Sequence, residues 1–242
     1  MMDNIKEEEF IESLYNKANE QLKEVYKEQR ENRDNLFKEI ALIMLIYTVL
    51  GESMNLKGRD KSKEYKRLSK LIINATKGQT ATQKRVISNI LNNTIKKTFN
   101  YYSYNANLKD VKKIIENNFK GKHFSTRVWE NEKEVANHLL NQIKQFLNGK
   151  INVNQIKKNI EETYDSSAYE AKRLVESEVN RCEDEAFKKF CKETGVKKVR
   201  RNEVLDSKTC SECADLDGEV YDLDDAPGVV HPFCRGFNTI EE

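Results

Sequence analysis

Apolar positions recur at three- and four-residue spacing along most of the chain, the pattern of amphipathic helices. Phe10, Leu14, Ala18, Leu22 and Val25 stand among Lys, Glu and Gln and predict a helix over 5–50, with Gly51 as its stop. A polar stretch broken by Gly58 reads as a loop over 52–62. A second helix is predicted over 63–76 through Tyr65, Leu68, Leu71, Ile72 and Ala75. Gly78-Gln79-Thr80 reads as a break, and Val86, Ile87, Ile90, Leu91 and Ile95 predict a third helix over 82–99. Tyr101, Tyr102 and Tyr104 follow it. Beside Lys96 and Lys97 such rings can stack on bases, but a tyrosine cluster at a helix end packs half-buried more often, with one edge wet.

From His123 the same period predicts a helix through Val135, Leu139, Leu140, Ile143 and Leu147 to Gly149, with Trp129 turned inward. A turn over 148–152 leads to a short helix over 153–163. Ser167 and Glu170 have capping-box spacing and predict the start of a new helix carrying Ala171, Leu174, Val175, Val179, Cys182, Ala186 and Phe190 inward, ended by Gly195. Cys182 and Cys191 read there as small buried hydrophobes, and Arg173 and Glu178 as a solvated face. After Gly195 the pattern shortens. Val196–Leu205 reads as a strand, Asp206-Ser207-Lys208-Thr209 as a turn, Asp217-Gly218 as a hairpin signal before Glu219-Val220-Tyr221, and 235–240 as a last strand. The fold class expected is α+β, mostly α-helical, with a small C-terminal antiparallel sheet.

Composition supports that class. Charged residues make up 34% of 242, mean hydropathy is −0.80, and there are only 9 Gly and 2 Pro, as suits long solvated helices. The net charge of +2 is unevenly spread. From Glu203 onward eleven acidic residues stand against Lys208 and Arg235, which is −9 and leaves +11 on residues 1–202. Such asymmetry fits either a solvated helical surface or a basic face toward nucleic acid. The start of the chain lacks the basic and apolar regions of a secretory signal. The apolar run from Ile40 to Leu50 is about half the length needed to span a bilayer, so it reads as a buried helix or the seat of an oligomer contact. A reducing cytoplasm is the expected place of synthesis.

The chemistry is concentrated near the C-terminus. Cys210-Ser-Glu-Cys213 and His231-Pro-Phe-Cys234 bring four soft or borderline ligands as two close pairs, the spacing by which one tetrahedral Zn²⁺ is gripped from two sides. Two other states compete with a structural zinc: reduced thiols in a small core, or disulfides. Asp206 and Asp217 read as turn residues whose carboxylates accept backbone N–H groups, Gly218 completes the second turn, and Arg235 is placed to pair with a nearby carboxylate.

The order Phe124…Arg127-Val-Trp129…Asn131, a long helix with Arg173 and Glu178, then Leu205-Asp206…Thr209-Cys210…Cys213…Leu216-Asp217-Gly218…His231-Pro232…Cys234-Arg235 resembles the Mu F-like head morphogenesis family, the minor capsid proteins of tailed phages. The resemblance covers residues 123 to 236, about half the chain. Family members commonly carry Arg-Thr-Glu on the long helix where this chain has Glu176-Ser177-Glu178, and many end in Cys-Arg-Cys where Gly236 stands here. The resemblance implies a low-copy, non-enzymatic head protein of the virion interior, associated with the portal and other head proteins, that assists assembly or DNA packaging and ejection. It implies no membrane and no small-molecule substrate.

On this reading residues 1–105 form a helical assembly region and 106–242 the head-morphogenesis domain, with a zinc knuckle at 203–240. The alternatives are a zinc-knuckle nucleic-acid-binding protein and a metal-dependent nuclease. A catalytic zinc keeps an open position and three protein ligands, whereas this motif offers four. The deaminase signature, H-x-E followed by P-C-x-x-C, is missing from the sequence. A nucleic-acid module places basic charge at the knuckle, and here the knuckle is acidic, so any DNA contact is expected to be non-specific and to fall on the basic helices.

Overall fold

The computed structural model describes residues 2–47, 49–50, 53–207 and 209–241. Gly51, read as a helix stop, Glu52 at the start of the expected loop, and Lys208 within the expected turn lie outside them. Among the described residues the chain is mostly helical and α+β, in the order α1 (Met2–Ile46), β1 (Val49–Leu50), β2 (Ser53–Met54), α2 (Gly58–Tyr101), α3 (Leu108–Glu116), α4 (Phe124–Leu147), α5 (Val153–Thr194), β3 (Lys198–Asn202), α6 (Ser211–Ala214), β4 (Val220–Asp222) and β5 (Phe237–Glu241). None of these helices is long and apolar enough to cross a membrane. Two compact units are formed, one from Lys23–Arg85 and Ser125–Ala171, the other from Met1–Leu22, Val86–Phe124 and Lys172–Glu242.

The first unit takes stretches of α1, α2, α4 and α5 with the β1–β2 hairpin. Its core is Leu36, Ile40, Ile43, Leu68, Ile72, Leu139, Ile143, Phe146, Ile156 and Ile160, each a periodic position of its helix. A polar layer crosses the same unit. Gln29 Nε2 donates to Ser167 Oγ at 2.8 Å, Ser167 Oγ donates to Glu132 Oε1 at 3.4 Å, and Gln83 Nε2 donates to the same carboxylate oxygen at 2.5 Å. The end of α1 is divided: Ile40 and Ile43 are buried, while Leu42, Leu45 and Ile46 are exposed, Leu45 at 83%.

This layer explains two corrections. The expected break at Gly78-Gln79-Thr80 is absent and α2 runs through it. Gly78 allows close approach, since a Cβ there would stand 3.0 Å from Glu28 Oε1, and Gln79 spends its amide on the Val25 carbonyl at 3.3 Å. Interhelical contact thus overrides the local cost of a mid-helix glycine, about 1 kcal/mol. Likewise Ser167 does not cap a helix. It is buried within α5, which starts fifteen residues earlier at a reciprocal capping box: Asn152 Oδ1 accepts from Gln155 N and Gln155 Oε1 from Asn152 N, both at 2.8 Å. Trp129, expected inward, is 50% exposed, and Lys133 Nζ lies 4.8 Å from its ring centroid.

In the second unit α5 is the central support. Ala171 at the boundary and Leu174, Val175, Val179, Cys182, Ala186 and Cys191 are buried as expected of its apolar stripe; Phe190 is only partly so. Tyr102 stacks on Phe190 at 4.8 Å and Tyr101 on Phe10 at 4.2 Å, the half-buried packing expected of the tyrosine cluster. The helix α3 was not foreseen. Glu178, expected on a solvated face, is 1% exposed and receives Arg181 Nε at 2.8 Å, while Arg181 Nη1 donates to the Ile114 carbonyl at 2.9 Å and so satisfies the C-terminal end of α3. An acidic residue survives inside this unit because its partner is equally buried and also hydrogen-bonded.

Gly195 ends α5 with φ +80, and the sheet follows in the order β4-β3-β5, antiparallel throughout. Val199 pairs with Tyr221 and Ile240, and Arg201 with Asn238. Alternation puts Val199 and Arg201 on the buried face and Arg200 outside, where it pairs with Glu241 at 2.7 Å. Asp217-Gly218 turns the chain as expected, with Gly218 at φ +80. It joins α6 to β4 where a strand-to-strand hairpin was expected.

Candidate metal centre

The turn before α6 is built from its own side chains. Asp206 N donates to Thr209 Oγ1 at 2.9 Å, and Thr209 Oγ1 donates to the Val204 carbonyl at 2.7 Å. Cys210 then caps α6, its Sγ accepting from Cys213 N at 3.4 Å, which sets the two sulfurs one turn apart on the same side. On the other arm His231-Pro-Phe-Cys234 closes its own turn through Cys234 N to the His231 carbonyl at 3.1 Å, with Phe233 at φ 65.

The two arms meet. His231 Nε2 lies 3.1 Å from Cys210 Sγ and 3.0 Å from Cys213 Sγ, and Cys213 Sγ lies 3.9 Å from Cys234 Sγ. A tetrahedral ion with bonds of about 2.3 Å to sulfur and 2.0–2.1 Å to nitrogen sets sulfur–sulfur edges near 3.8 Å and sulfur–nitrogen edges near 3.5 Å. The four side chains therefore lie close enough to hold one metal ion. The 3.9 Å between the Cys213 and Cys234 sulfurs is far beyond a disulfide bond, and all five cysteines are free. His231 Nδ1 donates to the Pro232 carbonyl at 2.8 Å, which fixes the tautomer and presents the Nε2 lone pair to the sulfurs.

The groups of the cluster perturb one another's titration. Burial pushes the Cys213 thiol up, and the neighbouring Cys234 and Glu203 push it further. The Cys213 N–H lowers Cys210, and the Pro232 carbonyl raises His231. Cys213, Cys234 and Glu203 bring two sulfurs and a carboxylate within 4.8 Å of one another, with the Arg201 guanidinium against Cys234 Sγ and Glu203 Oε1.

The remaining expected site residues surround these four. Arg235 Nη2 pairs with Asp206 Oδ1 at 2.7 Å, so the carboxylate of Asp206 ties the segment before β5 to the turn. Asp217 Oδ1 accepts from Glu203 N at 2.8 Å, and Gly218 N donates to the Arg201 carbonyl at 2.8 Å, so this turn is fastened to the end of β3. Arg173 is half-buried on α5 and lends its carbonyl to Ser177 Oγ at 2.8 Å. Ser177 Oγ in turn accepts from Phe233 N at 3.4 Å. Glu178 belongs to the Arg181 anchor and not to the cluster of sulfurs.

Tyr15, Asn180, Arg201 and Glu203 were not foreseen as residues of the site. Asn180 Nδ2 donates to the Cys234 and Gly236 carbonyls at 3.1 and 2.9 Å, and Tyr15 OH donates to the Cys234 carbonyl at 3.4 Å. The Arg201 side chain, 1% exposed, donates through Nη2 to Cys234 Sγ at 3.3 Å, through Nε to Glu203 Oε1 at 2.8 Å and through Nη1 to the Pro227 carbonyl at 3.1 Å. A Cβ on Gly236 would overlap both the guanidinium and the Glu203 carboxylate, so a larger residue there has to displace that pair. The signal for Arg201 was present in the strand pattern, since it stands two residues from Val199 and shares its face. Nothing in the sequence marked Asn180 or Tyr15. Comparison with family models, with curated proteins and with solved structures returned no match.

Proposed function

We propose that this chain is a minor capsid protein of a tailed phage or prophage, non-enzymatic, associating with the portal inside the head and assisting head assembly or DNA delivery, with one structural Zn²⁺ in its C-terminal knuckle. The observation that carries the reading is the ordered motif Thr209-Cys210…Cys213…Asp217-Gly218…His231-Pro232…Cys234-Arg235, whose four donors converge while Asp206, Asp217 and Arg235 brace the turns between them. Three thiolates and an imidazole leave the ion no position for an activated water and make it a poor Lewis acid, which suits a stabilising tip.

The exposed Leu42, Leu45 and Ile46 at the end of α1 support an assembly role for residues 1–105, because apolar side chains at helical spacing on one exposed face mark contact surfaces. The test is co-purification with a portal-type ring from induced or infected cells, using the full chain and a Leu42→Asp/Leu45→Asp/Ile46→Asp variant. The full chain is expected in the ring and head fractions, and the variant, folded by circular dichroism, is expected in neither. A full chain that fractionates away from heads and ring overturns the reading.

A further inference from the structure

The donors at the knuckle form two overlapping trios. Cys210, Cys213 and His231 make one and Glu203, Cys213 and Cys234 the other, each with its ligand atoms within 4.8 Å of one another and with Cys213 common to both. The first includes the two more accessible donors, Cys210 and His231. The second is closed from solvent: Cys213 and Cys234 are 3% and 1% exposed, and the Glu203 side chain is 3% exposed.

Glu203 is held ready for an ion. Both Arg201 contacts fall on its Oε1, each at 2.8 Å, while its backbone N–H is fixed by Asp217. A carboxylate bound on one oxygen by a guanidinium keeps the other oxygen as a hard donor, and Zn²⁺ accepts carboxylate oxygen at about 2.0–2.2 Å. Gly236 makes the arrangement possible. Any side chain there would overlap the Arg201–Glu203 pair, so the space beside Cys234 is reserved for that carboxylate.

The geometry points to Glu203 as a fifth donor of this centre, a buried carboxylate that takes the coordination position left when an accessible donor, Cys210 or His231, is lost from the ion. The inference rests on the zinc reading above. Beside the set of three sulfurs with His231 it gives the site two replacement sets: two sulfurs with His231 and Glu203 once Cys210 has gone, and three sulfurs with Glu203 once His231 has gone. Ligand exchange is non-redox: in place of Cys210 a carboxylate replaces a thiolate with no change of charge, and in place of His231 it replaces a neutral imidazole and adds one negative charge. Damage to an exposed cysteine then leaves the ion in place, whereas loss of Cys213, common to all three sets, does not.

The experiment compares the full chain, Cys210→Ser, Cys210→Ser/Glu203→Gln and Cys210→Ser/Glu203→Asp, purified reduced and folded by circular dichroism. Zinc per chain and release to a chelator are measured, followed by the absorption of the Co²⁺-substituted proteins. Cys210→Ser is expected to keep its zinc and a four-coordinate cobalt spectrum with weakened thiolate charge-transfer bands. Both double variants are expected to release zinc at least about tenfold faster than Cys210→Ser. The shorter Asp keeps the charge opposite Arg201 but not the reach, so it tests the inference even if the Gln variant does not fold. Cys210→Ser without zinc, or double variants that hold it as well as Cys210→Ser does, overturns the inference and leaves the zinc reading intact. A parent chain without zinc overturns both.

Discussion

Asn180, in the middle of a long helix, donates through Nδ2 to the carbonyl oxygen of Cys234 at 3.1 Å, and so fixes the backbone of a candidate metal ligand 54 residues further along. The same amide holds the Gly236 carbonyl at 2.9 Å and the Tyr15 hydroxyl at 3.1 Å. The ligand loop is thus fastened to α5 by Asn180, with Tyr15 and Ser177 adding to the hold.

Asn180→Leu is predicted to destabilise the protein by about 2–4 kcal/mol, because it leaves two carbonyls and a hydroxyl in the interior short of a donor. Chemical denaturation of variant and parent measures it. An unchanged midpoint would show that these bonds are replaced by others in the variant.

The knuckle is predicted to carry about one zinc per chain in reduced protein never exposed to chelator. Cys213→Ser removes the sulfur that both donor trios share, and it should abolish zinc content and lower the melting temperature. Metal analysis of the two proteins decides it. His231→Ala is expected to loosen the tip with less zinc lost, since Glu203 remains, and Asp217→Asn to change little, its remaining Oδ1 still accepting from Glu203 N.

Gly236→Ala is predicted to cost at least about 1–3 kcal/mol, the range for overpacking a closed interior, and more if the Arg201–Glu203 pair is broken. The distinguishing observation is a crystal or solution structure of the variant in which Arg201 has left Cys234. A variant as stable as the parent, with Arg201 in place, would mean that the strand shifts to accommodate the methyl group.

Much of this architecture was legible in the chain, and the failures have a common cause. Periodicity located the helical body, because each amphipathic face reports its own burial. It broke α2 at Gly78 and α5 at Thr163–Ser167 because Gly and Ser are locally poor helix formers, whereas the reasons to continue lie on other helices: Glu28 and Val25 for one, Gln29 and Glu132 for the other. The donor pairs were legible because metal spacing is local. Of the supports Tyr15, Asn180 and Arg201, only Arg201 left a signal, its place on the Val199 face of a strand, while Tyr15 and Asn180 reach the site from helices far off in the sequence.

Any DNA affinity is predicted to be weak, indifferent to sequence and strongly salt-dependent, because the +11 on residues 1–202 against −9 beyond them (together the chain's +2) is a charge distribution without a base-reading motif. Binding to unrelated duplexes should be equal and should fall steeply between about 50 and 200 mM salt. A preference for one sequence that survives at the higher salt would contradict it.

The last prediction concerns Glu132, whose carboxyl sits in the polar layer among Gln29, Gln83 and Ser167. Desolvation raises it from the usual carboxylate range to about 7, against the lowering effect of the Gln83 and Ser167 hydrogen bonds, and nearby Glu28 adds to the rise. The other titratable neighbour is Tyr164, itself raised by burial and by Glu132, with Arg33 acting in the opposite direction. Folded, the group binds its proton more tightly than in the unfolded chain, where 4.5 is the reference. The stabilisation is therefore fully present below about pH 4.5 and is lost as pH rises through about 7. Its size is of the order of 3 kcal/mol at most. Zinc release on acidification works the other way, since thiolates must be deprotonated to bind, so the parent's pH profile alone mixes the two effects. Glu132→Gln keeps the shape and an acceptor oxygen but not the titration. Between about pH 4.5 and 7, the stability of the parent relative to Glu132→Gln is expected to fall, and above that the difference between them is expected to level off. A parent-to-variant difference that stays constant over that window would mean that Glu132 titrates inside the bundle as it does in the unfolded chain.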